Sequence, residues 1–171
     1  MMIGEVDVVR KDFKVNNNRG HDLFCSLYEP QNLDTYPCVV YLHGNSGNRI
    51  EAEAAVNHLL PHGIGVFCFD FAGTGNSGGE FLSLGWFEAL DLIVVMDHLR
   101  KVPKIGKIAL WGRSMGAVTS LLYTGMYDTN IAGLVMDSPF SCINSLSVKH
   151  IEDKSGLPMF LSQLIFSYLK S

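Results

Sequence analysis

Four short runs in the middle of this chain hold only apolar residues and glycine. They are Cys38-Val39-Val40-Tyr41-Leu42, Val66-Phe67-Cys68-Phe69 before Asp70, Ile108-Ala109-Leu110-Trp111, and Ile131-Ala132-Gly133-Leu134-Val135-Met136. None alternates with polar residues, as a strand with one wet face would, and each is short for a helix. Runs of this kind suit strands covered on both faces, the situation of a parallel sheet under helices. The spacing between them predicts helices over 49–60, 85–102 and 117–126. The first sets Ala55, Leu59 and Leu60 on one side and ends at Pro61-His62-Gly63. The second repeats Phe87, Leu90, Val94 and Leu99 near the helical period and stops at Pro103, whose ring cannot continue a helix. Two further strands, over 6–15 and 21–29, flank the turn Asn16-Asn17-Asn18-Arg19-Gly20. Strand–helix–strand alternation from 38 to 136 implies right-handed crossovers. The expected fold class is therefore α/β, a mostly parallel sheet with helices on both faces. The pattern changes after Asp137, so the core is expected over 1–140, with residues 141–171 set apart and read as helical over 142–151 and 157–169.

At 171 residues, 47% hydrophobic and 18% charged, the chain suits one globular domain with a real core. A net charge of −4 with scattered Lys and Arg argues against nucleic acid, which needs a basic face. No apolar run reaches the about 18 residues a membrane-spanning helix requires. The N-terminus lacks the basic start of a secretory signal, so a cytoplasmic location is expected. Cys25, Cys38, Cys68 and Cys142 form no CxxC pair and have no ligand spacing to a histidine, so no metal is expected and the thiols read as reduced core residues.

The chemistry-bearing residues collect where the apolar runs end. Gly112-Arg113-Ser114-Met115-Gly116 follows the third run directly. A serine on a tight strand-to-helix turn can present its hydroxyl to a carbonyl, and the helix behind it points free N–H groups at developing negative charge. The bland alternative is a helix-capping serine in an ordinary turn. His43-Gly44-Asn45-Ser46-Gly47-Asn48 follows the first run, and this loop can bring a second backbone N–H beside the serine. Asn45 and Met115 would then form a two-donor oxyanion hole. His43 reads as structural, hydrogen-bonded to backbone. Gly73-Thr74-Gly75-Asn76-Ser77-Gly78 matches a dinucleotide fingerprint, but no helix opens at its third glycine, and Asp91 and Asp97 fall in a predicted helix rather than at a strand end. No cofactor is expected there. Asp137-Ser138-Pro139-Phe140 ends the fourth run. Asp137 could be the acid of a triad, with a loop-fixing role as the default.

Together these four stretches resemble the α/β-hydrolase superfamily, most closely its serine-aminopeptidase-like and acyl-hydrolase branch. The resemblance covers about residues 5–145. It implies Ser114 as nucleophile, with Asn45 and Met115 as the oxyanion donors. It also implies a departure. In that family the acid and then the histidine follow later strands, and the only histidine after Ser114 is His150, in the segment where the family carries its lid. The reading is thus of the N-terminal two-thirds of the fold, with the last two strands, the triad Asp and the triad His expected beyond residue 171. The apolar stretch 157–169 would then offer a surface for self-association or peripheral membrane contact. The expected function is a serine hydrolase of ester, thioester or amide bonds in a small-molecule, lipid or peptide substrate. A catalytically inactive hydrolase-fold binding module is the alternative, and a dinucleotide-dependent oxidoreductase the third reading.

Overall fold

The computed structural model describes residues 2–3 and 6–141. Cys142, His150 and the helices expected over 142–151 and 157–169 lie outside the described residues. Those described form, in chain order, β1 (Met2–Ile3), β2 (Val6–Asn16), β3 (Asp22–Pro30), β4 (Tyr36–Leu42), α1 (Glu53–Leu59), β5 (Gly65–Phe69), α2 (Trp86–Leu99), β6 (Ile105–Arg113), α3 (Met115–Met126) and β7 (Leu134–Asp137). Single 3-10 turns at Arg49–Ala52 and Leu60–His62 bracket α1.

The seven strands make one sheet in the order β1-β2-β3-β5-β4-β6-β7. The four strands from β5 to β7 run parallel. The other three join as an antiparallel ribbon through β3 and β5. The parallel core is thus the one the apolar runs indicated, and β1 is a short addition that they did not announce.

Side chains on successive residues of the central strands face opposite layers. Cys38, Val40 and Leu42 of β4, Phe67 and Phe69 of β5 and Leu110 of β6 pack with Leu92, Val95, Met96 and Leu99 of α2 and with Met115 and Tyr123 of α3. Tyr41, Val66 and Cys68 point the other way, onto Ala52, Ala55, Val56 and Leu60 around α1. Helices therefore cover both faces, and the central strands are dry on both sides.

The buried face of α2 differs from the sequence expectation. Phe87 is 39% exposed and Leu90 and Val94 are only partly buried. Leu92, Val95, Met96 and Leu99 form the inner face, together with the charged Glu88 and Asp91. Apolar residues occupy most of this helix, so period alone could not choose a face. Two carboxylates sit inward because fixed donors await them. Asp91 accepts from Asn17 Nδ2 at 2.7 Å, Arg19 Nη2 at 2.7 Å and Ala72 N–H at 3.0 Å. Glu88 accepts from Ser83 N–H at 2.9 Å and Gly85 N–H at 2.7 Å, which closes the helix start.

The tightest packing lies where α3 crosses the end of β4. A Cβ on Gly116 would overlap the Leu42 carbonyl and come within 2.9 Å of His43 O. One on Gly112 would overlap the backbone of Gly116 and reach Ala117 N at 2.5 Å. In contrast, Gly125, exposed near the end of α3, has nothing within 4 Å of its would-be Cβ. Gly116→Ala is therefore expected to lower unfolding free energy by about 3 kcal/mol. Gly125→Ala is expected to raise it by about 0.5 kcal/mol through the lower entropy of the unfolded chain. Urea denaturation of the two variants checks both signs.

Candidate active site

Ser114 stands between the end of β6 and the first turn of α3, with φ 51° and ψ −110°. A non-glycine residue in this region carries strain of about 1–3 kcal/mol, tolerated only where surrounding contacts enforce it. Here they do. The Ser114 N–H donates to Asp137 O at 2.7 Å, and its carbonyl accepts from Ala117 and Val118 N–H at 3.0 and 3.1 Å. The two glycines at 112 and 116 permit the backbone approach described above. The turn is thus sharp, and it is fixed at both ends.

The loop after β4 runs beside it. A Cβ on Gly44 would lie 3.7 Å from Arg113 O and 3.9 Å from Ser114 Cβ, so the two backbones are in contact range with no side chain between them. Gly44 N–H is engaged by Glu51 Oε2 at 3.2 Å. The N–H groups of Asn45 and Met115 have no hydrogen-bond acceptor among the described residues. Asn45 follows Gly44 in this loop, and Met115 follows Ser114 at the start of α3. Among the described residues, no imidazole or carboxylate hydrogen-bonds Ser114 Oγ.

His43 is fully buried and touches backbone on both ring nitrogens. Gly44 O can only accept, so Nδ1 carries the proton and donates to it at 2.7 Å. Nε2 is left to accept from Phe71 N–H at 3.3 Å. The ring also lies 4.9 Å from that of Phe71. The imidazole therefore ties the loop after β4 to the one after β5, in keeping with its structural reading.

The glycine-rich loop after β5 closes on itself. Gly73 N–H donates to Gly78 O at 2.8 Å, Thr74 N–H to Phe71 O at 3.0 Å, Ser77 N–H to Thr74 O at 3.0 Å and Gly78 N–H to Asp22 O at 3.0 Å. Asn76 N–H donates to Asp70 Oδ2 at 2.9 Å. Five of the loop's six N–H groups are engaged in this way, and α2 begins only at Trp86. Asp70 itself is fully buried and pairs with the Arg49 guanidinium, while Arg49 N–H donates to Oδ1 at 2.7 Å. That pair, invisible in motif spacing, fastens the start of the first helical segment to this loop.

Asp137 reaches the elbow through its carbonyl, as above. Its side chain is exposed and accepts from Ser138 Oγ at 2.7 Å. His150 lies outside the described residues. The thiols of Cys25, Cys38 and Cys68 are buried and each pushed up to about 12, chiefly by burial. They are inert toward chemistry at neutral pH. Among the described residues no cluster of His, Cys, Asp and Glu could hold a metal.

Comparison with known proteins places this geometry in context. Residues 35–165 match the model of the family described as serine aminopeptidase, S33. A Bacillus subtilis protein, YqkD, itself uncharacterised, is 32% identical over 148 residues, covering 85% of this chain and 48% of that protein. The lysophosphatidylserine lipase ABHD12 of Xenopus tropicalis is 28% identical over 140 residues, 77% of this chain and 34% of the lipase. Among solved structures, an esterase of Pyrococcus furiosus, Pf2001, superposes with a TM-score of 0.76 at 25% identity, covering 94% of this chain and 64% of that one. The chain spans about half the length, or less, of the curated relatives it matches.

The buried imidazole makes a pH prediction. Burial lowers the His43 pKa from its ordinary 6.5, against the opposing pull of its bond to Gly44 O. The folded chain holds the neutral ring, so unfolding favours proton uptake. The stabilisation is complete above about pH 6.5 and is lost as pH falls through the folded-state pKa. His43→Asn is expected to flatten the fall in urea midpoint between about pH 6.5 and 5, removing at most about 1.4 kcal/mol per pH unit. Parallel slopes in the two proteins would overturn this.

Proposed function

Because the chain belongs to the serine aminopeptidase (S33) family of α/β hydrolases, we propose that Ser114 is the nucleophile of an ester-hydrolysing serine hydrolase. The observation that carries the reading is the strained Ser114 at the strand–helix elbow, in contact range of the loop after β4. The N–H groups of Asn45 and Met115, with no acceptor among the described residues, are the proposed oxyanion donors. In the proposed reaction Ser114 Oγ attacks the acyl carbonyl as its proton passes to a base. The carbonyl oxygen becomes an oxyanion held by the two N–H groups, each worth about 3–4 kcal/mol of barrier. Collapse of the intermediate expels the alcohol and leaves an acyl-enzyme, which water then hydrolyses.

The base and its orienting acid are proposed to lie beyond residue 171. Two facts support this: the chain's partial span of its relatives, and the absence of a partner for Ser114 Oγ among the described residues. An acyl lipid or other ester is the proposed substrate class, in keeping with a lipase and an esterase among the proteins it resembles. The same lack of a described base favours a second reading, a hydrolase-fold binding module without turnover.

Reaction with a fluorophosphonate probe separates these. A form extended past residue 171 is expected to label at Ser114, and Ser114→Ala to abolish labelling. The 171-residue chain is expected to label at least 100-fold more slowly, since losing a triad member leaves only residual catalysis. Equal labelling of the short chain, lost in His150→Ala, would instead assign the base to His150. No labelling of either form would favour the binding module.

A further inference from the structure

We infer that Glu51 is a positioning residue that sets the oxyanion loop against the serine elbow; the inference rests on the hydrolase reading above. Glu51 lies in the 3-10 turn that precedes α1, outside every motif picked out in the sequence. Its carboxylate joins the two halves of the site. Oε2 accepts the Gly44 N–H at 3.2 Å. Oε1 faces Arg113 Nη1 at 3.3 Å, and Arg113 is the residue directly before Ser114.

The loop is shaped around this carboxylate. A Cβ on Gly47 would overlap it, so a side chain there would push the carboxylate out of its present place. Gly47 N–H in turn donates to Gly44 O at 3.0 Å, and Glu51 N–H to Asn48 O at 3.1 Å. The five residues from Gly44 to Asn48 are thereby wound over one anionic group.

Two consequences follow for the oxyanion donors. First, Gly44 N–H is occupied, so the donor proposed to meet a substrate oxygen is the next one along, Asn45 N–H. Second, the Gly44–Asn45 peptide is held through its carbonyl by His43 Nδ1 at 2.7 Å and Gly47 N–H at 3.0 Å, and the Glu51 bond fixes the amide that precedes it. Backbone donors stabilise an oxyanion only when their geometry is fixed before charge develops. A loop released from Glu51 keeps the two bonds on Gly44 O but loses the one that anchors the preceding amide, and with it part of that alignment. Arg113 is 53% exposed, and an exposed ion pair adds little by itself. The hydrogen bond to Gly44 is therefore the part that matters, and the ion pair chiefly holds the carboxylate in place.

Two readouts test this. In the 171-residue chain, hydrogen exchange of the Gly44 amide, followed by NMR, should accelerate at least 10-fold in Glu51→Ala. Glu51→Gln should retain most of the protection, because an amide oxygen can still accept. In the extended form, turnover of p-nitrophenyl butyrate should show kcat reduced at least 10-fold in Glu51→Ala with KM within 2-fold, and at least half restored in Glu51→Gln. Unchanged Gly44 exchange in Glu51→Ala would overturn the inference. So would equal losses of kcat in the two variants. Ester turnover that survives Ser114→Ala would overturn the hydrolase reading alone, and leave the exchange result to judge the loop.

Discussion

The backbone of α3 rests directly on the carbonyl end of β4, and the rest of the site depends on that contact. A methyl group at Gly116 would collide with Leu42 O, and one at Gly112 with Gly116 itself. With both positions bare, helix, turn and strand end stack within one layer of atoms. Ser114 is thereby lifted into a conformation it would otherwise avoid. The loop leaving β4 is brought against the same turn, because Leu42 and His43 are the residues under the helix. Two sites far apart in sequence, Gly44 and Ser114, become neighbours as a result of that packing.

Buried polar groups then hold the loops around this point. The Asp70–Arg49 pair, the His43 ring between Gly44 and Phe71, and the Asp91 carboxylate beneath Ala72 each connect segments from different strands. Burying charge costs free energy that pairing only partly offsets, so such groups contribute little net stability. Their effect is on geometry. Each accepts or donates several bonds at once, and a loop displaced by an ångström would leave a buried charge without partners. The result is a set of irregular segments tied to one another by bonds between side chain and backbone.

Much of this was legible in the sequence, for specific reasons. The β4 and β5 runs were readable because a strand dry on both faces must be apolar throughout. The β6 and β7 runs are as apolar in sequence, although Val135 and Met136 of β7 are exposed among the described residues. The elbow was readable because two glycines at fixed spacing serve one steric need. The inner face of α2 was not, since Phe87, Leu90 and Val94 are as apolar as Leu92, Val95 and Met96, and only the partners of Glu88 and Asp91 decide the rotation. The antiparallel pairing of β3 with β5 was also hidden, because both strands are compatible with either direction. Glu51 and Arg49 were passed over for a related reason. A carboxylate or a guanidinium near a helix start is commonplace, and what distinguishes these two is a partner 7 or 21 positions away.

The three buried cysteines lend the molecule a clock. Cys25 and Cys38 lie in one apolar layer and Cys68 in the other, so no small displacement of a single helix uncovers all three. Alkylation requires a thiolate in contact with solvent, and burial denies both. In a Cys142→Ser background, the appearance of modified thiol would therefore time the opening of the sheet from either side. If Cys68 reacted earlier than the other two, α1 would be the cover that lifts first, and equal rates would mean that the two layers part as one.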